Sequence, residues 1–230
     1  MGDTRPVTDE DSARSVTNLI DAGRDREAAH QGARPRVTDS TPPVPDQNRD
    51  RMDPLTQLDQ LAPLLGQVVG GISPDQLDAP TPCREFTVRG VLEHMVGGAT
   101  AFAAAFRGTA PTAPDLADPL AAFGPALGDL GAAISAPGAL DRTVAAPFGD
   151  VPGETFARFV VLDGLVHGWD MAVATGQDYD PPAELVAAVD AFARGAIDPL
   201  RDGTTFDEAV TPAEGATPIE RLAAYTGRRR

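Results

Sequence analysis

The stretch Leu162 to Gly176, LDGLVHGWDMAVATG, puts two carboxylates and an imidazole where they can act together. At about 100° per residue, an α-helix carries Asp163, His167 and Asp170 on one face, because positions i, i+4 and i+7 fall nearly in line. The flanking Phe159, Leu162, Leu165, Val166 and Val173 are apolar, so the stripe is expected among buried neighbours. Charge in such a place is costly unless it is paired or bound to a metal. Carboxylate oxygen and imidazole nitrogen at this spacing suit zinc and related divalent ions. The spacing equally suits Asp163 accepting a hydrogen bond from His167 in a satisfied core, and this helix alone leaves both readings open.

A second histidine on another element is what a metal would need. Of the three in the chain, His30 falls in a polar N-terminal region, leaving His94 and His167 for the fold. Thr87 is placed to cap a long helix from Val88 to about Phe106, with Val91, Leu92, Met95, Val96, Phe102 and Phe106 as its apolar set and His94 near its middle. Gly97 and Gly98 follow His94, each costing about 1 kcal/mol relative to Ala inside a helix. They read either as an open floor beneath a ligand on His94 or as a place of close helix packing. Facing helices of a bundle build metal sites in their core. There, His94, Asp163 and His167 would offer two nitrogens and one oxygen and leave a fourth position for water or substrate, as a catalytic zinc site does.

The remaining elements must hold those two helices together. Asp53 as N-cap and Pro54 at the first helical position open a helix carrying Leu55, Leu58, Leu61, Leu65, Val68 and Ile72. Ser73-Pro74-Asp75-Gln76 is a capping box, and Pro80-Thr81-Pro82-Cys83 makes a rigid corner. Asp118-Pro119 starts another helix, which Gly124, Pro125, Gly128 and Gly131 are expected to kink or divide. Leu140 to Val151 has strand character and predicts a short hairpin. The helix bearing Asp163 is expected from about Glu154 to Thr175, ending at Gly176. Asp180 and Pro181 are read as the start of the next helix, and the Thr217-Pro218-Ile219-Glu220 box starts a last one that Gly227 closes. The predicted fold is all-α: a four-helix bundle over residues 52–230 with a short β-hairpin and a C-terminal helix, preceded by a disordered or weakly helical tail over residues 1–51.

Composition removes several function classes. All nineteen basic residues are Arg, so a P-loop lysine, a Schiff base and a lysine general base are absent. Neither G-x-S-x-G nor G-x-G-x-x-G occurs. The net charge is −15, and residues 52–230 hold 24 acids against 11 arginines, so the acidity belongs to the predicted fold. That balance opposes binding to nucleic acid and to anionic membranes. No apolar run approaches the roughly 18 residues of a membrane span, and the N-terminus has no signal-peptide core, so a cytoplasmic location is expected. The single cysteine, Cys83, excludes an internal disulfide. It lies just ahead of a helix N-terminus, where the dipole lowers thiol pKa, although a buried structural role is the alternative.

The segments APTPCREFTVRGVLEHMVGG, VVLDGLVHGWDMAVATG and ERLAAYTGRR together resemble the actinobacterial branch of the DinB-like four-helix-bundle superfamily, which includes the mycothiol-dependent maleylpyruvate isomerase metal-binding domain. The resemblance covers about residues 53–230. It implies a divalent metal, usually zinc, on His94, Asp163 and His167. Those isomerases place Glu at the acid position, so Asp163 is a shorter substitute. Relatives commonly carry Trp where Phe86 stands, a change expected to affect packing more than chemistry.

Asp170, one turn beyond His167, can orient a ligand imidazole or pair with an arginine. Trp169 points away from the stripe and is read as core. A zinc ion with an open position can hold a small thiol as thiolate, and mycothiol is the cosubstrate the resemblance implies. The expected activity is a mycothiol-dependent transfer or isomerisation, with zinc-bound hydroxide performing hydrolysis as the competing chemistry. The expected partners are a small-molecule thiol or electrophile, with a homodimer allowed. The alternative is a metal-binding sensor or partner-binding bundle without turnover. An empty bundle in which Asp163 and His167 simply pair is the third reading.

Overall fold

The computed structural model describes residues 52–146, 149–201 and 206–229. The expected tail over residues 1–51 lies outside them. Among the described residues the chain forms six α-helices: α1 (Pro54–Gly70), α2 (Val88–Arg107), α3 (Pro119–Ile134), α4 (Gly153–Thr175), α5 (Ala183–Ala196) and α6 (Pro218–Tyr225). Strands β1 (Thr143–Ala146) and β2 (Gly149–Pro152) form an antiparallel hairpin between α3 and α4, with Thr143 opposite Pro152 and Ala146 opposite Gly149. None of these helices is long and apolar enough to cross a membrane. The regular elements of the described residues are helical apart from this short hairpin, as expected.

Local chemistry sets most helix starts. Asp53 Oδ1 accepts from the backbone N–H groups of Leu55 and Thr56, both at 3.1 Å. Thr87 Oγ1 accepts from Gly90 N–H at 3.2 Å, and Thr217 and Glu220 form a reciprocal box at α6. Each such cap satisfies a donor that the first helical turn leaves orphaned.

Two starts and spans differ from expectation. Helix α5 begins at Ala183 behind Pro182, with no side-chain cap. Asp180 and Pro181 each precede a proline, whose ring keeps the preceding residue out of the helical region. Helix α3 is one continuous element through Pro125. Its buried Phe123, Leu130 and Ile134 supply tertiary packing, which outweighs weak propensity in a short helix.

Helix α4 is the centre of the molecule, with 15 of its 23 residues buried. It packs on α1, α2, α5, α6 and the hairpin, while α2 runs along α3. One apolar cluster joins Leu61, Leu65, Leu92, Met95, Leu162, Leu165, Trp169, Leu185 and Leu222, drawn from five helices. A second lies at the hairpin end, where Phe156 stacks on Phe106 and meets Phe102 edge-on. Trp169 is buried, as expected of a core residue. Close approach to α4 depends on Gly168, where a Cβ would stand 2.6 Å from Tyr179 Oη and 2.9 Å from Leu65 Cδ2. Tyr179 Oη uses the space to donate to Leu165 O at 3.1 Å.

Candidate functional site

Helices α2 and α4 pack side by side, and their contact brings His94 against the Asp163–His167 stripe. Oδ1 of Asp163 lies 3.5 Å from Nε2 of His94 and 3.5 Å from Nε2 of His167. One ligand atom from each of the three residues falls within 4.8 Å of the others, a group that could hold a metal ion. The imidazole centroids are 5.0 Å apart, with the rings inclined at 63°.

These spacings bear on the two readings of Asp163. A charge-assisted N–H···O bond closes to about 2.7–2.9 Å, so 3.5 Å is a poor hydrogen bond to either ring. Ligand atoms about 2.0–2.1 Å from one tetrahedral zinc lie roughly 3.3 Å from each other. The separations of Asp163 Oδ1 from the two imidazoles match that edge, and the donor chemistry of two nitrogens and one oxygen fits the same ion.

The stripe is not uniformly buried. The Asp163 side chain is 40% exposed and that of His94 20%, whereas His167 and Asp170 are enclosed at 4% and 0%. Phe159 and Val173, expected among the buried neighbours of the stripe, are only partly buried, and the Asp163 end of the stripe is open to solvent. Desolvation by the surrounding helices pushes the Asp163 carboxyl upward. The neighbouring His167 and His94, with the Arg228 guanidinium beyond them, more than offset that and hold it well below the usual carboxylate range. Asp163 therefore stays an anion, the form a cation requires.

Asp170 contacts both an imidazole and an arginine. Its Oδ2 accepts from His167 Nδ1 at 3.0 Å and from Arg228 Nε at 3.3 Å. A carboxylate only accepts, so Nδ1 of His167 carries a proton, and Nε2 faces Asp163 and His94. This is how a metal-ligating histidine is ordinarily held from behind.

Phe86 packs against the site and forms one of its walls. Its ring centroid is 5.3 Å from that of His94 and 6.2 Å from that of His167. The proline corner holds it there: Phe86 N–H donates to Cys83 O, and Phe86 O accepts from both the backbone and the hydroxyl of Thr81. A Cβ at Gly90 would come 3.1 Å from Phe86 Cδ1, so that glycine lets the ring lie close to α2. At Gly98 a Cβ would meet only the Phe102 ring at 3.5 Å, an ordinary contact that close helix packing does not require. Cys83 is not activated: burial pushes its thiol up to about 11, against a smaller downward pull from Arg228.

Arg228 is the site neighbour that sequence reasoning did not single out. It comes from beyond α6, 58 residues from Asp170, and the terminal ERLAAYTGRR segment was its only signal.

A family model described as the mycothiol maleylpyruvate isomerase N-terminal domain matches residues 58–172, a span that includes His94, Asp163, His167 and Asp170. Two uncharacterized proteins, from two strains of Mycobacterium tuberculosis, are each 36% identical to the chain over 182 residues, covering 77% of this chain and 98% of the relative. No solved structure matches the chain.

Proposed function

Since the chain belongs to the family of the mycothiol maleylpyruvate isomerase N-terminal domain, we propose that it binds a divalent metal, zinc, through His94, Asp163 and His167 and works as a mycothiol-dependent transferase or isomerase. The observation that carries the reading is the placing of one carboxylate oxygen 3.5 Å from two imidazole nitrogens. That distance is too long for a good ion-pair hydrogen bond and close to the ligand spacing of a tetrahedral ion. When bound, the ion would supply Lewis acidity, which favours the thiolate form of a small thiol at neutral pH.

The chain's own residues supply the rest. Asp163 contributes the charge that offsets the cation, and His167 presents Nε2 because Asp170 holds its opposite face. Phe86 covers both imidazoles on one side. The exposure of His94 and Asp163 leaves a path for a small thiol and its electrophilic partner. Under this reading residues 52–230 act as one cytoplasmic metal-binding domain, with residues 1–51 outside it.

The test is metal content by elemental mass spectrometry on untagged protein purified without chelator. Close to one zinc per chain is expected in the wild type, and its loss in both His94→Ala and His167→Ala. A wild-type protein that is metal-free and takes up neither zinc nor nickel would sink the reading. Stoichiometric zinc without thiol transfer to any electrophile would retain the metal and overturn the enzymatic part in favour of a sensor or partner-binding role.

A further inference from the structure

We propose that Arg228 is a positioning residue for His167, acting through Asp170: it balances the charge of that carboxylate and fixes the oxygen that grips the imidazole. Asp170 is wholly enclosed, and among the described residues its hydrogen bonds run to His167 and Arg228, both through Oδ2. Oδ1 is buried with no hydrogen-bond partner. An enclosed anion needs a counter-charge within reach, and an imidazole, which carries one only when doubly protonated, does not always provide it. The Arg228 side chain, 12% exposed, does. With one oxygen unanchored, the orientation of the whole carboxylate depends on the two donors that share the other.

The C-terminal segment is built to deliver that guanidinium. Helix α6 packs against α4 and α5 through Ile219, Leu222 and Ala223. The chain leaves it through Gly227 at φ 93°, a left-handed conformation that favours glycine. A Cβ there would also stand 2.5 Å from Asp207 Cβ. Arg228 N–H returns to Ala223 O at 3.0 Å, and Arg228 Nη1 donates to Thr226 O at 3.3 Å, which holds the side chain at its root. The last described turn of the protein thereby sets the face of a histidine on its central helix.

The experiment is imidazole nitrogen and proton NMR on the metal-free full chain, following His167 Nδ1–H in wild type, Arg228→Gln, Arg228→Lys and Asp170→Asn. The wild type is expected to show a downfield Nδ1–H signal that exchanges slowly with water, absent in Asp170→Asn. Arg228→Gln should lose it. Arg228→Lys should keep it at a displaced position, since an ammonium supplies the charge without the planar fork. A His167 signal in Arg228→Gln that matches wild type would overturn the proposal, whatever happens to the melting temperature. Should Arg228→Gln not fold, Arg228→Lys decides, and an unmoved signal there overturns it. The inference rests on the metal reading only for its use. Absence of zinc uptake by the wild type would sink that reading and leave the NMR result standing. An unmoved signal in a zinc-binding protein would sink this inference alone.

Discussion

Oδ1 of Asp163 faces two imidazoles at equal distance, and the charge it carries depends on the groups around it. Each ring nitrogen is prepared separately: His94 by its place on α2 under Phe86, and His167 by Asp170 behind it. Cys83 lies near the same charges but has the opposite fate, because burial outweighs the downward pull of Arg228. Its thiol is pushed from 9.0 to about 11, so protonation persists through neutral pH and deprotonation sets in only as pH rises toward that value. Alkylation by iodoacetamide at pH 8 is therefore expected to run about a hundredfold slower than at an unshifted thiol and to climb steadily with pH. A rate at pH 8 equal to that of a model thiol would refute this, since Cys83 is partly exposed to the reagent.

Among the elements, α4 bears the site because it is enclosed by the others, and that enclosure depends on where a side chain is missing. Gly168 follows His167 directly and gives Leu65 and Tyr179 their places. Gly168→Ala is expected to destabilise by about 1–3 kcal/mol, since Tyr179 must move and its bond to Leu165 O is strained or lost. Gly66, exposed on α1 with open space where a Cβ would point, gives the opposite expectation. Gly66→Ala should stabilise by about 0.5–1 kcal/mol through the unfolded chain's lost freedom. Thermal melts of the two variants check both signs, and a Gly168→Ala protein as stable as wild type would refute the packing argument.

At the scale of the whole molecule, the cluster ties α2 to α4 across about seventy residues of chain, from His94 to Asp163 and His167. An ion bound there stabilises the folded state only, because the unfolded chain does not bring the three together. Free zinc at about 100 times its dissociation constant should add roughly 2.7 kcal/mol and raise the melting temperature by several degrees. Chelator should reverse the gain, and His167→Ala should show none. A melting temperature indifferent to zinc in the wild type would count against a site spanning both helices.

The helix caps at Asp53, Thr87 and Thr217 were legible because a cap is a contract between residues two or three apart. The Asp163, His167 and Asp170 stripe was legible for a similar reason: helical periodicity alone aligns them. The partnership of His94 with that stripe could be inferred only through the expectation of a bundle. Tertiary packing decided that α3 runs unbroken through Pro125, that Phe86 walls the imidazoles, and that the Asp163 end of the stripe opens to solvent. It also decided that Arg228 reaches Asp170 from 58 residues away. Spacing along the chain specifies which residues share a helix face. Which of those faces meet, and which charges then compensate each other, depends on burial and contacts between distant segments, and no local pattern encodes those.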